Sequence, residues 1–146
     1  PRKGERQGKD YWFISIAEFE RRVEEGKWAE WAKVHGNYYG TSADDIENHL
    51  SMGRDVLLDI DVQGAAQMLK RYPDCVPIFI MPPSMAELKV RIENRGTDSR
   101  EVIKKRLVEA ENEMQQKDRY RHIVINDQLE QTIEALIDIF REYNQH

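Results

Sequence analysis

Hydrophobic positions divide the chain into two textures. Up to about residue 50 the apolar runs are short and broken. DYWFIS (Asp10–Ser15) reads as a short strand. Ser15 then caps a helix, with Glu18 three residues on completing a capping box, and Gly26 ends it. WAEWAKVH (Trp28–His35) alternates as a half-exposed strand does. Ser42 caps a second helix, ADDIENHL, which ends at Gly53. Beyond it the runs become continuous. VLLDID (Val56–Asp61), VPIFIM (Val76–Met81) and HIVIN (His122–Asn126) have the β-branched, uninterrupted character of buried parallel strands. Helical segments alternate with them: VQGAAQMLKRY; AELKVRIENR, capped by Ser84 with Glu87; a long helix opened by Asp98 with Glu101 and running through Met114; and the amphipathic LEQTIEALIDIFREY. This alternation predicts β-α-β units with helices on both faces of a parallel sheet. Residues 1–50 are expected to form a cap or insertion on that α/β core, residues 51–146.

Composition narrows the class. The 146 residues suffice for one compact domain, or one with a small appendage, and 40% hydrophobic with 34% charged residues indicates a globular chain. No apolar run approaches membrane-spanning length, and no apolar segment follows PRKGERQGK as a signal peptide requires. Cys75 is the only cysteine, which excludes a disulfide framework and cysteine-based zinc sites and fits a reducing cytoplasm. A net charge of −5 argues against a surface that coats nucleic acid, but not against a small anion held by local arginines.

Candidate chemistry lies in four places. Asp59 and Asp61 close an apolar run where ligands of open parallel sheets gather; two apart on a strand, they point to one side. They suit a hydrated magnesium ion or a polar ligand group, or else they are solvated or cap the next helix. Arg91 and Arg95 share a helix face, and Arg106 follows across the polar GTDS stretch. Taken alone, Glu87 four before Arg91 suggests a surface ion pair; together the three arginines suggest a phosphate clamp around a mobile loop. Glu30 lies between Trp28 and Trp31. A carboxylate there is ordinarily the wet face of a strand, but it can also accept guanine N1–H and N2–H₂ together, a pairing adenine cannot make. Finally, HGNYYGTS places two tyrosines between glycines, and two hydroxyl residues follow at once. Arg2, Tyr11 and Tyr39 offer a guanidinium fork and two phenols to a monophosphate, while Thr41 or Ser42 can donate to guanine O6.

PRKGERQGKDYWF, EWAKVHGNYYGTS, DVLLDIDVQGA, IFIMPPS, RIENRGTDSREVIKKRL and IVIND, in this order and spacing, resemble the guanylate kinases of bacterial type over essentially the whole chain. The resemblance implies a P-loop nucleoside-monophosphate-kinase core, a small α+β GMP-binding domain (1–50) and a lid at about 94–112. It implies ATP and GMP as substrates, magnesium as cofactor, a cytoplasmic location, no nucleic-acid or membrane partner, and leaves a homodimer open. It assigns Arg2, Tyr11, Tyr39, Glu30, Thr41 and Asp59 to GMP, with Asp59 and Asp61 toward metal. Arg91, Arg95 and Arg106 are assigned to the triphosphate, and Asn126 to the adenine side. The family's P-loop, GxxxxGK[ST], is absent from the sequence. A strand, that loop and a Thr-Thr-Arg segment are expected before Pro1, so the chain reads as N-terminally truncated, and residues 1–146 alone are expected to bind GMP poorly and transfer phosphate hardly at all. The competing class is a non-catalytic guanylate-kinase-like module that grips phosphorylated peptides. Such modules usually come with companion interaction domains, which this chain does not show.

Overall fold

The computed structural model describes residues 1, 4–34, 36–94 and 99–143. It contains two compact units, Pro1–Cys75 and Val76–His146. Arg2, Arg95 and Asp98 lie outside the described residues.

The first unit is built on a hairpin. Helix α1 (Ile16–Glu24) is capped by the Ser15 hydroxyl, which accepts from the Glu18 amide. It leads through Gly26 (φ +66°) to β1 (Trp28–Val34), which pairs antiparallel with β2 (Asn37–Ser42). A bulge between Trp28 and Glu30 breaks the simple alternation expected of β1. Trp28 lies opposite Ser42, Glu30 opposite Thr41, and Trp31 opposite Gly40, so both tryptophans share a face that excludes Glu30. On the tryptophan face, Phe19 of α1 stacks between Trp28 (4.6 Å) and Tyr38 (5.1 Å). Gly40 is needed there: a Cβ would come within 3.1 Å of the Trp28 ring.

β2 was not anticipated as a strand. Its NYYGTS sequence carries too little apolar character to announce one, and the pairing with β1 supplies what propensity does not. The segment expected as a strand at Asp10–Ser15 is instead a self-bonded loop with one isolated bridge, Gln7 to Tyr11. Gly8 (φ +70°) turns the chain, and the Gln7 amide takes both the N–H and the C=O of Phe13, at 2.6 and 3.4 Å. Side-chain bonds of this kind satisfy the backbone in place of a ladder.

Helix α2 (Ala43–Ser51) begins at the Ser42 cap, and its end turns at Gly53 (φ +69°). Val56–Asp61, expected as a buried strand, forms no ladder. A strand requires a hydrogen-bonded neighbour, and among the described residues none is offered. Its side chains still alternate. Val56, Leu58 and Ile60 pack against the core of Ala29, Ala43, Ile46 and Met68, while Leu57 is 76% exposed. Helix α3 (Val62–Arg71) follows, capped by Asp61, and packs on β1.

The second unit holds β3 (Ile78–Met81) parallel to β4 (His122–Ile125), as the alternation predicted. Helix α4 (Met85–Asn94) carries the predicted Ser84 cap. Helix α5 (Arg100–Met114) is capped by Ser99 rather than by Asp98, one residue later than expected, and packs against α4. Helix α6 (Leu129–Tyr143) lies against β4. The strands are less covered than their composition suggests. Phe79 and Val124 are buried, whereas Ile80, Ile123 and Ile125 are exposed, because a parallel sheet hides its apolar residues only when layers cover both faces.

Candidate functional site

In the first unit, the face of the hairpin opposite the tryptophans carries Glu30, Tyr39 and Thr41. Alternation along β2 sends Tyr38 inward to the aromatic stack and Tyr39 and Thr41 to this other face. Glu30 is not the wet face of a strand: it is 4% exposed. The Thr41 hydroxyl donates to its Oε1 at 2.5 Å, a short charge-assisted bond across the strand pair. Burial raises the Glu30 carboxyl above the usual carboxylate range. The Thr41 bond opposes this rise, and the nearby Asp61 charge adds to it. Tyr11 and Tyr39 meet edge-on, with ring centroids 5.7 Å apart, so the two phenols assigned to a phosphate are brought together.

The two aspartates divide their work. Asp61 Oδ1 accepts from the Gly64 amide at 2.9 Å and Oδ2 from Gln63 Nε2 at 3.0 Å, which makes Asp61 the N-cap of α3. Asp59 is exposed. The described residues hold no group of three or more His, Cys, Asp or Glu side chains arranged as a metal cage. A hydrated magnesium ion does not require one: it keeps most of its waters and takes one or two carboxylates together with substrate phosphates. The solvated Asp59 carboxylate suits that role better than the capping Asp61.

In the second unit, Arg91 reaches the carboxyl end of β4. Its Nε donates to Glu87 at 2.8 Å, Nη1 to the Asn126 carbonyl at 2.7 Å, and Nη2 to the Asp127 carbonyl at 3.3 Å. The ion pair with Glu87 is therefore real, and the same guanidinium ties α4 to the segment that carries Asn126. Arg106 is half-buried on α5. Tyr72 was not singled out from sequence. Its hydroxyl donates to Glu47 at 2.6 Å, and its ionisation is pushed upward by burial first and that bond second.

The chain matches the family model described as guanylate kinase over residues 1–143. It is 43% identical over 97% of its length to a guanylate kinase from Aromatoleum aromaticum, covering 69% of that protein. It is also 45% identical over 97% of its length to a guanylate kinase from Dechloromonas aromatica, covering 70% of that one. It belongs to the guanylate kinase family. The crystal structure of a guanylate kinase from Anaplasma phagocytophilum superposes with a TM-score of 0.84 at 35% identity, spanning all of this chain and 71% of that one. No described helix of this guanylate kinase family member is long and apolar enough to cross a membrane.

The raised Glu30 carboxyl has a consequence for stability. A carboxyl raised on folding binds its proton more tightly in the native state. Its contribution is therefore present below the unfolded value and is lost as pH rises through the folded one. Glu30→Gln removes this dependence. Urea unfolding at a series of pH values should show the Gln variant gaining on the parent as pH rises from the unfolded value of the carboxyl through its raised folded value, with a level difference beyond both. A difference that stays constant from acid to neutral pH would mean that Glu30 is not desolvated as described.

Proposed function

We propose that this protein transfers the γ-phosphoryl group of ATP to GMP, giving ADP and GDP, and that Glu30 selects guanine. Family membership supports the reaction. The observation that carries the base assignment is a carboxylate buried in the first unit and bonded by the Thr41 hydroxyl, on the face that also bears Tyr39. Ionised, Glu30 offers two acceptors to the parallel N1–H and N2–H₂ donors of guanine. Adenine has a lone pair at N1 and no amino group at C2, and leaves the same oxygens unpaired. A site built to pair with donors rejects an analogue lacking them by roughly 10⁴ or more. Thr41, now spent on Glu30, can turn its hydroxyl to guanine O6.

In this reading Tyr11, Tyr39 and Arg2 hold the GMP phosphate. Arg91, Arg95 and Arg106 serve the triphosphate, and Asn126 lies on the adenine side. Residues 1–50 act as the GMP-binding domain, 51–146 as the core, and about 94–112 as a lid. Asp59 holds magnesium through water, and the ion, when bound, neutralises charge on the transferring phosphates. The location is cytoplasmic. The non-catalytic peptide-binding reading is the weaker one, since the curated relatives compared above are named as kinases.

The test is Glu30→Gln in a polypeptide that also carries the family's N-terminal strand and P-loop. One acceptor is kept and the other becomes an NH₂ facing a guanine donor. GMP affinity by calorimetry is expected to fall by several-fold to about a hundredfold, about 1–3 kcal/mol for a buried mispaired group. Unchanged affinity would remove Glu30 from the base site.

A further inference from the structure

We infer that Gly64 is a positioning residue for guanine selection, acting through the Glu30 carboxylate; this rests on the base-reading role proposed above. Gly64 is the third residue of α3, and its amide is already taken by the Asp61 cap. What it presents to Glu30 is the absence of a side chain. A Cβ built at position 64 would collide with Glu30 Oε2, lie 3.1 Å from Glu30 Cδ, and lie 3.3 Å from Ile60 Cβ. No positive φ requires glycine at this position, so backbone conformation does not explain it.

Two constraints therefore meet on one carboxylate. Oε1 is drawn to the Thr41 hydroxyl, and Oε2 occupies the space that a Cβ at position 64 would take, in a place where Glu30 is nearly inaccessible to water. An added methyl meets the far end of a flexible side chain, so the fold can yield by moving the carboxylate. The cost of that movement falls on recognition, because guanine needs both oxygens in one plane with its two donors. A misplacement of this kind, of the order of 1 Å, weakens a positioned contact by about tenfold to a hundredfold.

The test compares Gly64→Ala, Glu30→Gln, the double variant Gly64→Ala/Glu30→Gln and Gly64→Ala/Glu30→Asp in the active protein. GMP and IMP are the substrates, and melting temperature is followed alongside. IMP lacks the N2 amino group and makes one bond fewer to Glu30. Gly64→Ala is expected to raise the KM for GMP about tenfold or more with little change in kcat, and to lower the preference for GMP over IMP. It should add little once Glu30 is Gln, since coupled residues do not act additively. Aspartate, one methylene shorter, should make room for the methyl and recover part of the loss, including any loss of folding. A fall in melting temperature and kcat with the GMP/IMP preference intact would overturn the inference and leave Gly64 a packing residue. So would a folding defect that Glu30→Asp does not relieve, which would place the clash at Ile60. If Glu30→Gln leaves GMP unaffected, the base-reading role fails first; if Glu30→Gln weakens GMP and Gly64→Ala does not, only the role of Gly64 fails.

Discussion

A polypeptide confined to residues 1–146 should show no phosphoryl transfer from ATP to GMP. A P-loop holds phosphates through a ring of backbone N–H groups and a lysine, and no GxxxxGK[ST] occurs in these residues. The apolar surface around the strands gives a second reason to expect poor behaviour. Leu57 stands open on a segment with no ladder, and Ile80, Ile123 and Ile125 are exposed around the β3–β4 pair. Unpaired, apolar strand surface invites association between chains. Joining residues 1–146 to the strand, P-loop and Thr-Thr-Arg segment that the family resemblance implies is expected to give both solubility and turnover. The assay is coupled ADP release with GMP, and with AMP as the control. Vigorous turnover by residues 1–146 alone would mean that ATP is held by some other part of the chain. An extended, well-folded and inactive protein would favour the peptide-binding module.

On the assignment proposed above, loss of Arg95 or Arg106 should be the most damaging single substitution in the active protein. Charge spreads over the transferred phosphoryl group in the transition state, and a guanidinium placed against it acts there more than on the ground state. Arg95→Ala and Arg106→Ala are each expected to lower kcat by about 10³–10⁵ while the KM for GMP changes far less. Steady-state kinetics at saturating ATP separates the two parameters. Arg91→Ala will carry an extra structural cost, because its guanidinium also bonds Glu87 and the carbonyls of Asn126 and Asp127. A variant at Arg95 or Arg106 that lost GMP affinity alone would assign that arginine to the wrong substrate.

Helices were the most legible part of the sequence. The caps at Ser15, Ser42 and Ser84 rest on local hydroxyl-to-amide bonds, and local bonds are written in adjacent residues. Strands were less so. Val56–Asp61 has a strand's composition and alternation, yet it makes no ladder, since a ladder also depends on a partner elsewhere. β2 shows the converse, a polar segment made into a strand by its neighbour. The site divides in the same way. Glu30 and Thr41 could be named from chemistry, but their direct contact depends on a bulge at Ala29 that no periodicity announces. Gly64 could not be singled out at all: a missing side chain gains meaning only when the carboxylate beside it is known.

The free edge of β1 is closed by a side chain rather than by a strand. Gln67 on α3 accepts from the Trp31 N–H at 3.2 Å and donates to the Trp31 carbonyl at 2.7 Å, satisfying donor and acceptor of the residue next to Glu30. An amide side chain here imitates one rung of a β-ladder, much as Gln7 does at Phe13. Among the described residues β1 has β2 as its strand neighbour on one side and this single glutamine rung on the other. A second copy of the chain can template a strand onto β1 only after Gln67 lets go. The helix that follows the Val56–Asp61 segment therefore also guards the hairpin against pairing with its own kind.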